Sequence, residues 1–80
     1  MCISEAISIR INEILYERNM TLYQLEQITG IPHSTMSCVM SIRYDSVNLK
    51  TVFLIIKGLN MDINEFFNPE LFNLDELLVY

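Results

Sequence analysis

The stretch Thr21–Met40, TLYQLEQITGIPHSTMSCVM, constrains this chain more than any other. It contains two short runs with helical spacing, separated only by Gly30, Ile31 and Pro32. Thr21 suits a helix cap, because its hydroxyl can accept a backbone N–H from the first turn. Leu22, Leu25 and Ile28 recur at helical spacing and form the expected buried face of that first helix. Gly30 ends it, since glycine enters the left-handed conformation without steric cost. Pro32 or His33 opens the next helix, where a missing N–H does no harm. Met36 and Val39 are expected to point inward, and Ile31 to plug the space where the helices cross. A chain that stops one helix and starts another within three residues must cross them sharply. This is a helix-turn-helix unit over residues 21–41.

The flanking sequence is helical too. Residues 4–18 carry Ile7, Ile11, Ile14 and Leu15 on one stripe, with Ser4 as the expected cap. After a polar loop at 42–48, Asn48 caps a fourth helix, Leu49 to Leu59. That helix is apolar on nearly every side, through Val52, Phe53, Leu54, Ile55 and Ile56, so it is expected to be central and buried. Asp62 caps a short fifth helix, INEFF. Asn68-Pro69 restarts the chain into a C-terminal helix at about 69–79, bearing Leu71, Phe72, Leu74, Leu77, Leu78 and Val79. No useful run alternates with period two, so no sheet is expected. Eighty residues make one domain, 1–80. A chain this short buries only roughly 60% of its unfolded surface, and the 51% hydrophobic content supplies an efficient core.

The net charge of −5 opposes phosphate binding when taken whole. Its distribution changes that reading. Residues 61–80 hold Asp62, Glu65, Glu70, Asp75 and Glu76 without a single base. Residues 20–60 hold Glu26 and Asp45 against Arg43, Lys50 and Lys57. Cys2 and Cys38 form no C-x-x-C pair and are read as thiols in a reducing cytoplasm. MCISEAISIR has neither the basic start nor the apolar core of a secretory leader. No apolar run is long enough to span a membrane. With one His, no glycine-rich phosphate loop and no evident nucleophile–base pair, no enzyme, cofactor, metal or small-molecule ligand is expected.

The elements in this order resemble the Cro/repressor-type helix-turn-helix family, also called the xenobiotic-response-element family. The resemblance covers about residues 5–67. Its specific part is Thr21, Leu25, Ile28, Gly30-Ile31, Ser34-Thr35-Met36-Ser37 and Val39, followed by Asn48-Leu49-Lys50-Thr51-Val52, Ile55, Leu59 and Asp62 to Phe67. It implies an all-α fold: a five-helix lambda-repressor-like bundle, here with a short additional C-terminal helix. It also implies a DNA-binding transcriptional regulator, a repressor in the usual case, acting as a homodimer with its third helix in the major groove of double-stranded DNA. Carried across by position, the DNA-contacting residues are His33, Ser34, Thr35, Ser37, Cys38 and Ser41, with Arg43 and Tyr44 in the following loop. The dimer contact is expected from the C-terminal helix or the fifth helix. Leu22 stands where the family often has Gln, and Met40, Ser41 and Ile42 replace a polar end with Asn-Gly. No Arg, Lys, Gln or Asn stands on the recognition helix. A second expectation therefore stays open: the same fold used as a protein-interaction module, antitoxin-like or an accessory subunit.

Overall fold

The computed structural model describes residues 1–41 and 47–77. Five helices follow one another: α1 (Ile3–Glu17), α2 (Leu22–Thr29), α3 (His33–Met40), α4 (Leu49–Gly58) and α5 (Ile63–Phe66). No strand occurs among the described residues. The architecture is the all-α, five-helix arrangement expected from the sequence.

Local chemistry sets most of the helix ends. Thr21 Oγ1 accepts from Gln24 N at 3.1 Å, and Gln24 Oε1 accepts from Thr21 N at 2.8 Å. This reciprocal capping box fixes the start of α2. Asn48 Oδ1 accepts from the backbone of Lys50 and Thr51, and Asp62 Oδ1 from that of Asn64. Gly30 ends α2 at φ 74°. α1 and α4 end alike, each through an asparagine with positive φ, Asn19 and Asn60. Met20 N then donates to Leu15 O and Met61 N to Ile56 O, the six-to-one bond of a Schellman motif.

The core runs through Ile7, Ile11, Ile14, Leu25, Ile31, Met36, Val39, Val52, Ile55, Leu59 and Phe66. Ile31 is buried in the turn as expected, beside Met36 and Val39 of α3. Polar side chains clamp the bundle at three points. Ser8 Oγ donates to Met40 O at 3.2 Å, holding the end of α3 against α1. Arg10 donates through Nε to Phe66 O and through Nη2 to Glu65 O, both at 2.8 Å, tying α1 to α5. Arg18 Nη1 donates to Leu59 O, joining the ends of α1 and α4. α2 and α4 approach closely at Gly58, where a Cβ would lie 2.6 Å from Thr29 Cγ2.

Three expectations about capping and burial are corrected. Ser4 does not cap α1: Cys2 is the N-cap residue and offers no side-chain bond. Ser4 falls on the stripe of Ile7, Ile11 and Ile14 and is buried, and its Oγ has no hydrogen-bond partner among the described residues. Ile28 is exposed, because α2 turns inward the face carrying Leu25 and Glu26. α4 is not buried all round. Its inner face is Thr51, Val52, Ile55 and Ile56, while Leu49, Phe53 and Leu54 are exposed.

The C-terminal helix does not form over the described part of 69–79, which ends at residue 77. Two separate turns stand there instead. Asn68 does cap the first, accepting from Leu71 N, and Phe72 N donates to Asn68 O. Asn73 then interrupts. Its Oδ1 takes Asp75 N, and its carbonyl takes Leu77 N, starting a second turn. An asparagine side chain that bonds backbone two residues on competes with helix propagation. Phe72 meanwhile packs against the Phe66 and Phe67 rings, with centroids at 6.4 and 5.0 Å. The tail folds back on the core at that point.

Candidate nucleic-acid interface

α3 is eight residues long and supported on one side only. Advancing about 100° per residue, His33, Ser37, Ser41, Ser34 and Cys38 fall within one arc of roughly 140°. His33, Ser34, Ser37 and Cys38 are exposed, and Ser41, the C-cap, is half-buried. Met36 and Val39 lie on the opposite side and are buried. The polar arc is therefore held outward by the packing of its own reverse face, by Ile31 beneath the turn, and by Ser8 on the Met40 carbonyl.

The structure divides the residues expected to contact DNA. His33, Ser34, Ser37, Cys38 and Ser41 share the outward arc. Thr35 does not: it is half-buried and falls on the side of Met36 and Val39, because the stripe that anchors α3 passes beside it. Arg43 and Tyr44 lie outside the described residues.

One residue that nothing in the sequence singles out joins the site. Glu26 of α2 reaches under α3, and its Oε2 accepts from His33 Nδ1–H at 2.8 Å. The glutamate side chain is 9% exposed and the histidine 74%. A carboxylate only accepts hydrogen bonds, so the ring proton facing it sits on Nδ1. Nε2 then faces the other way, 3.4 Å from Ser37 Oγ. Glu26 and His33 are seven residues apart on different helices, and only the crossing angle of the turn brings them together. Ser37 lies against the imidazole one helical turn along α3, the i, i+4 neighbour that helical spacing brings to it. It lies on an open helix face, where it orients polar groups toward solvent.

Among the described residues, two of the cations are turned into the fold. Of five Lys and Arg residues in the chain, Arg10 and Arg18 donate to backbone carbonyls inside the bundle. Lys50 and Lys57 lie exposed on α4.

A family model for the Cro/C1-type helix-turn-helix DNA-binding domain matches residues 10–70, taking in all of α2 to α5 and the turn between α2 and α3. The chain belongs to that family. No curated protein and no solved structure matched it. In this Cro/C1-type domain the braced polar helix coincides with the second helix of the helix-turn-helix unit, the element that enters the major groove in such motifs. Apart from His33, its outer side chains are small, which lets a helix backbone come close to base edges. Among the described residues, no group of three or more His, Cys, Asp and Glu could hold a metal ion. No described helix is long and apolar enough to cross a membrane.

Proposed function

We propose that this chain, 1–80 as one domain, is a small sequence-specific transcriptional regulator in the cytoplasm that represses by occupying its operator. α3 lies in the major groove. His33, Ser34, Ser37 and Cys38 face base edges, Ser41 stands at the end of the helix, and Arg43 and Tyr44 serve the phosphate backbone. The observation that carries the reading is the outward polar arc of α3, braced from behind in a family of DNA-binding domains. A homodimer on a two-fold operator completes it. The apolar residues left exposed on α4 and α5, Leu49, Phe53 and Ile63, suit the contact between copies.

The test is a fluorescence anisotropy titration against duplex DNA over a range of salt. Each phosphate neutralised contributes about −0.9 to the slope of log K against log salt. Arg43, Lys50 and Lys57 remain once Arg10 and Arg18 are set aside. The slope is thus expected to be shallow, no steeper than roughly −3 per protomer. Absence of binding at about 50 mM salt would instead favour the protein-interaction module. That second reading draws on the net charge of −5 and on the inward use of Arg10 and Arg18.

A further inference from the structure

Within the reading of α3 as the groove-entering helix, on which this inference rests, we propose that Glu26 and His33 turn Ser37 into a hydrogen-bond acceptor. It then selects a base carrying an exocyclic amino group, adenine or cytosine. Glu26 is itself too deep to touch a base, its side chain being nine-tenths buried beneath α3. It acts as a positioning residue: its Oε2 takes Nδ1–H of His33 at 2.8 Å. The bond made at one imidazole nitrogen sets which of the two carries the proton. With that proton on Nδ1, the neutral ring keeps a lone pair at Nε2 and can only accept there. Ser37 is exposed, and its Oγ lies 3.4 Å from Nε2. A hydroxyl rotates to suit its partner, so Ser37 donates to Nε2. Its one proton is then directed at the ring, and its lone pairs are left for the groove.

This removes the ambiguity of a serine. A hydroxyl free to rotate donates to guanine O6 or thymine O4 as readily as it accepts from adenine N6 or cytosine N4. Here the proton is engaged, and Nε2 beside it is an acceptor as well. A base that offers a carbonyl at this point meets acceptors and no free donor. A base that offers an amino group finds a partner in Ser37 Oγ or, with the hydroxyl swung aside, in Nε2. On the major-groove edges only adenine N6 and cytosine N4 donate. The polarity thus originates in a buried carboxylate on α2 and passes through His33 to a residue one turn along α3. Without Glu26 the ring is free to turn over or to take the other tautomer, and Ser37 regains both of its roles.

The test uses the full chain at about pH 8, above the ordinary titration range of imidazole, and a duplex selected from a random pool. Each adenine of the half-site is changed in turn to guanine and each cytosine to thymine, together with its pairing partner. Either change puts a carbonyl where the major groove held an amino group. At one position per half-site the change is expected to weaken wild-type binding roughly tenfold. An adenine there identifies N6 as the group read, a cytosine N4. In Glu26→Leu the discrimination at that position should shrink to about twofold or less. Glu26→Gln, whose amide oxygen still accepts from Nδ1–H, should keep most of it. Removing the amine alone, with 2-aminopurine for adenine or 2-pyrimidinone for cytosine, should also weaken the wild type. Circular dichroism checks that each variant is folded, with Glu26→Ala used if leucine does not fit. Equal discrimination at every position in the wild type and the folded Glu26→Leu or Glu26→Ala protein would overturn the positioning role. Binding that is indifferent to the loss of every amine would overturn the base assignment and leave DNA binding standing. Failure of the wild type to bind any duplex would overturn both this inference and the reading of α3.

Discussion

Replacing Arg10 by methionine is expected to lower the unfolding free energy by about 2–4 kcal/mol, the largest single-site effect outside the apolar core. The guanidinium is nearly buried and donates to two consecutive carbonyls, Glu65 and Phe66, at the end of α5. Methionine restores the packing of the stem but not the donors. Two carbonyls would then lose charged partners, and hydrogen bonds to charged groups are worth about 1.5–3 kcal/mol each. The additional ion pair to Glu13, at 3.3 Å and half in solvent, adds little. At roughly 4–8 °C per kcal/mol for a domain of this size, the midpoint of thermal unfolding should fall by about 8–30 °C. Urea denaturation measures the free energy directly. A loss below about 1 kcal/mol would show that α5 is held by Phe66 packing alone.

Glutamate at Ser37 should do the opposite: leave the fold alone and remove the function. Ser37 is exposed, and its one described side-chain contact is with His33. Surface changes of this kind usually alter stability by no more than about 0.5 kcal/mol. In a groove lined by phosphates and base acceptors, however, the new carboxylate meets like charge. It can also capture His33 from four residues away, one helical turn distant. Affinity for duplex DNA is expected to fall about a hundredfold, equivalent to roughly 2.7 kcal/mol, while the urea midpoint stays in place. Unchanged affinity in the anisotropy titration would place the DNA contact elsewhere.

What the sequence made legible was local. Thr21, Asn48 and Asp62 cap helices because a side chain and the N–H it serves lie within three residues. The α1 stripe follows from period alone, and Gly30 from its tolerance of positive φ. Burial of the outer residues was not legible. Leu49, Phe53 and Leu54 look like core in any count of hydropathy, yet it is the face of Thr51, Val52, Ile55 and Ile56 that α4 turns inward. Ser4 and Asn68 both carry cap chemistry, but one falls on a buried stripe and the other begins a turn that Asn73 cuts short. In the site, the polar arc of α3 was readable from spacing. Glu26 was not, because its role exists only once two helices cross and place its carboxylate beneath His33.

Cys38 allows the most direct test of the central claim, that this arc of α3 meets DNA. It is exposed on the arc, one turn beyond Ser34. In a Cys2→Ser chain it is the remaining thiol, so its alkylation by iodoacetamide can be followed alone. With duplex at about one hundred times the dissociation constant, the rate should fall by about a hundredfold, since only the free protein reacts. An alkylation rate that stays the same on DNA-bound protein would contradict the account.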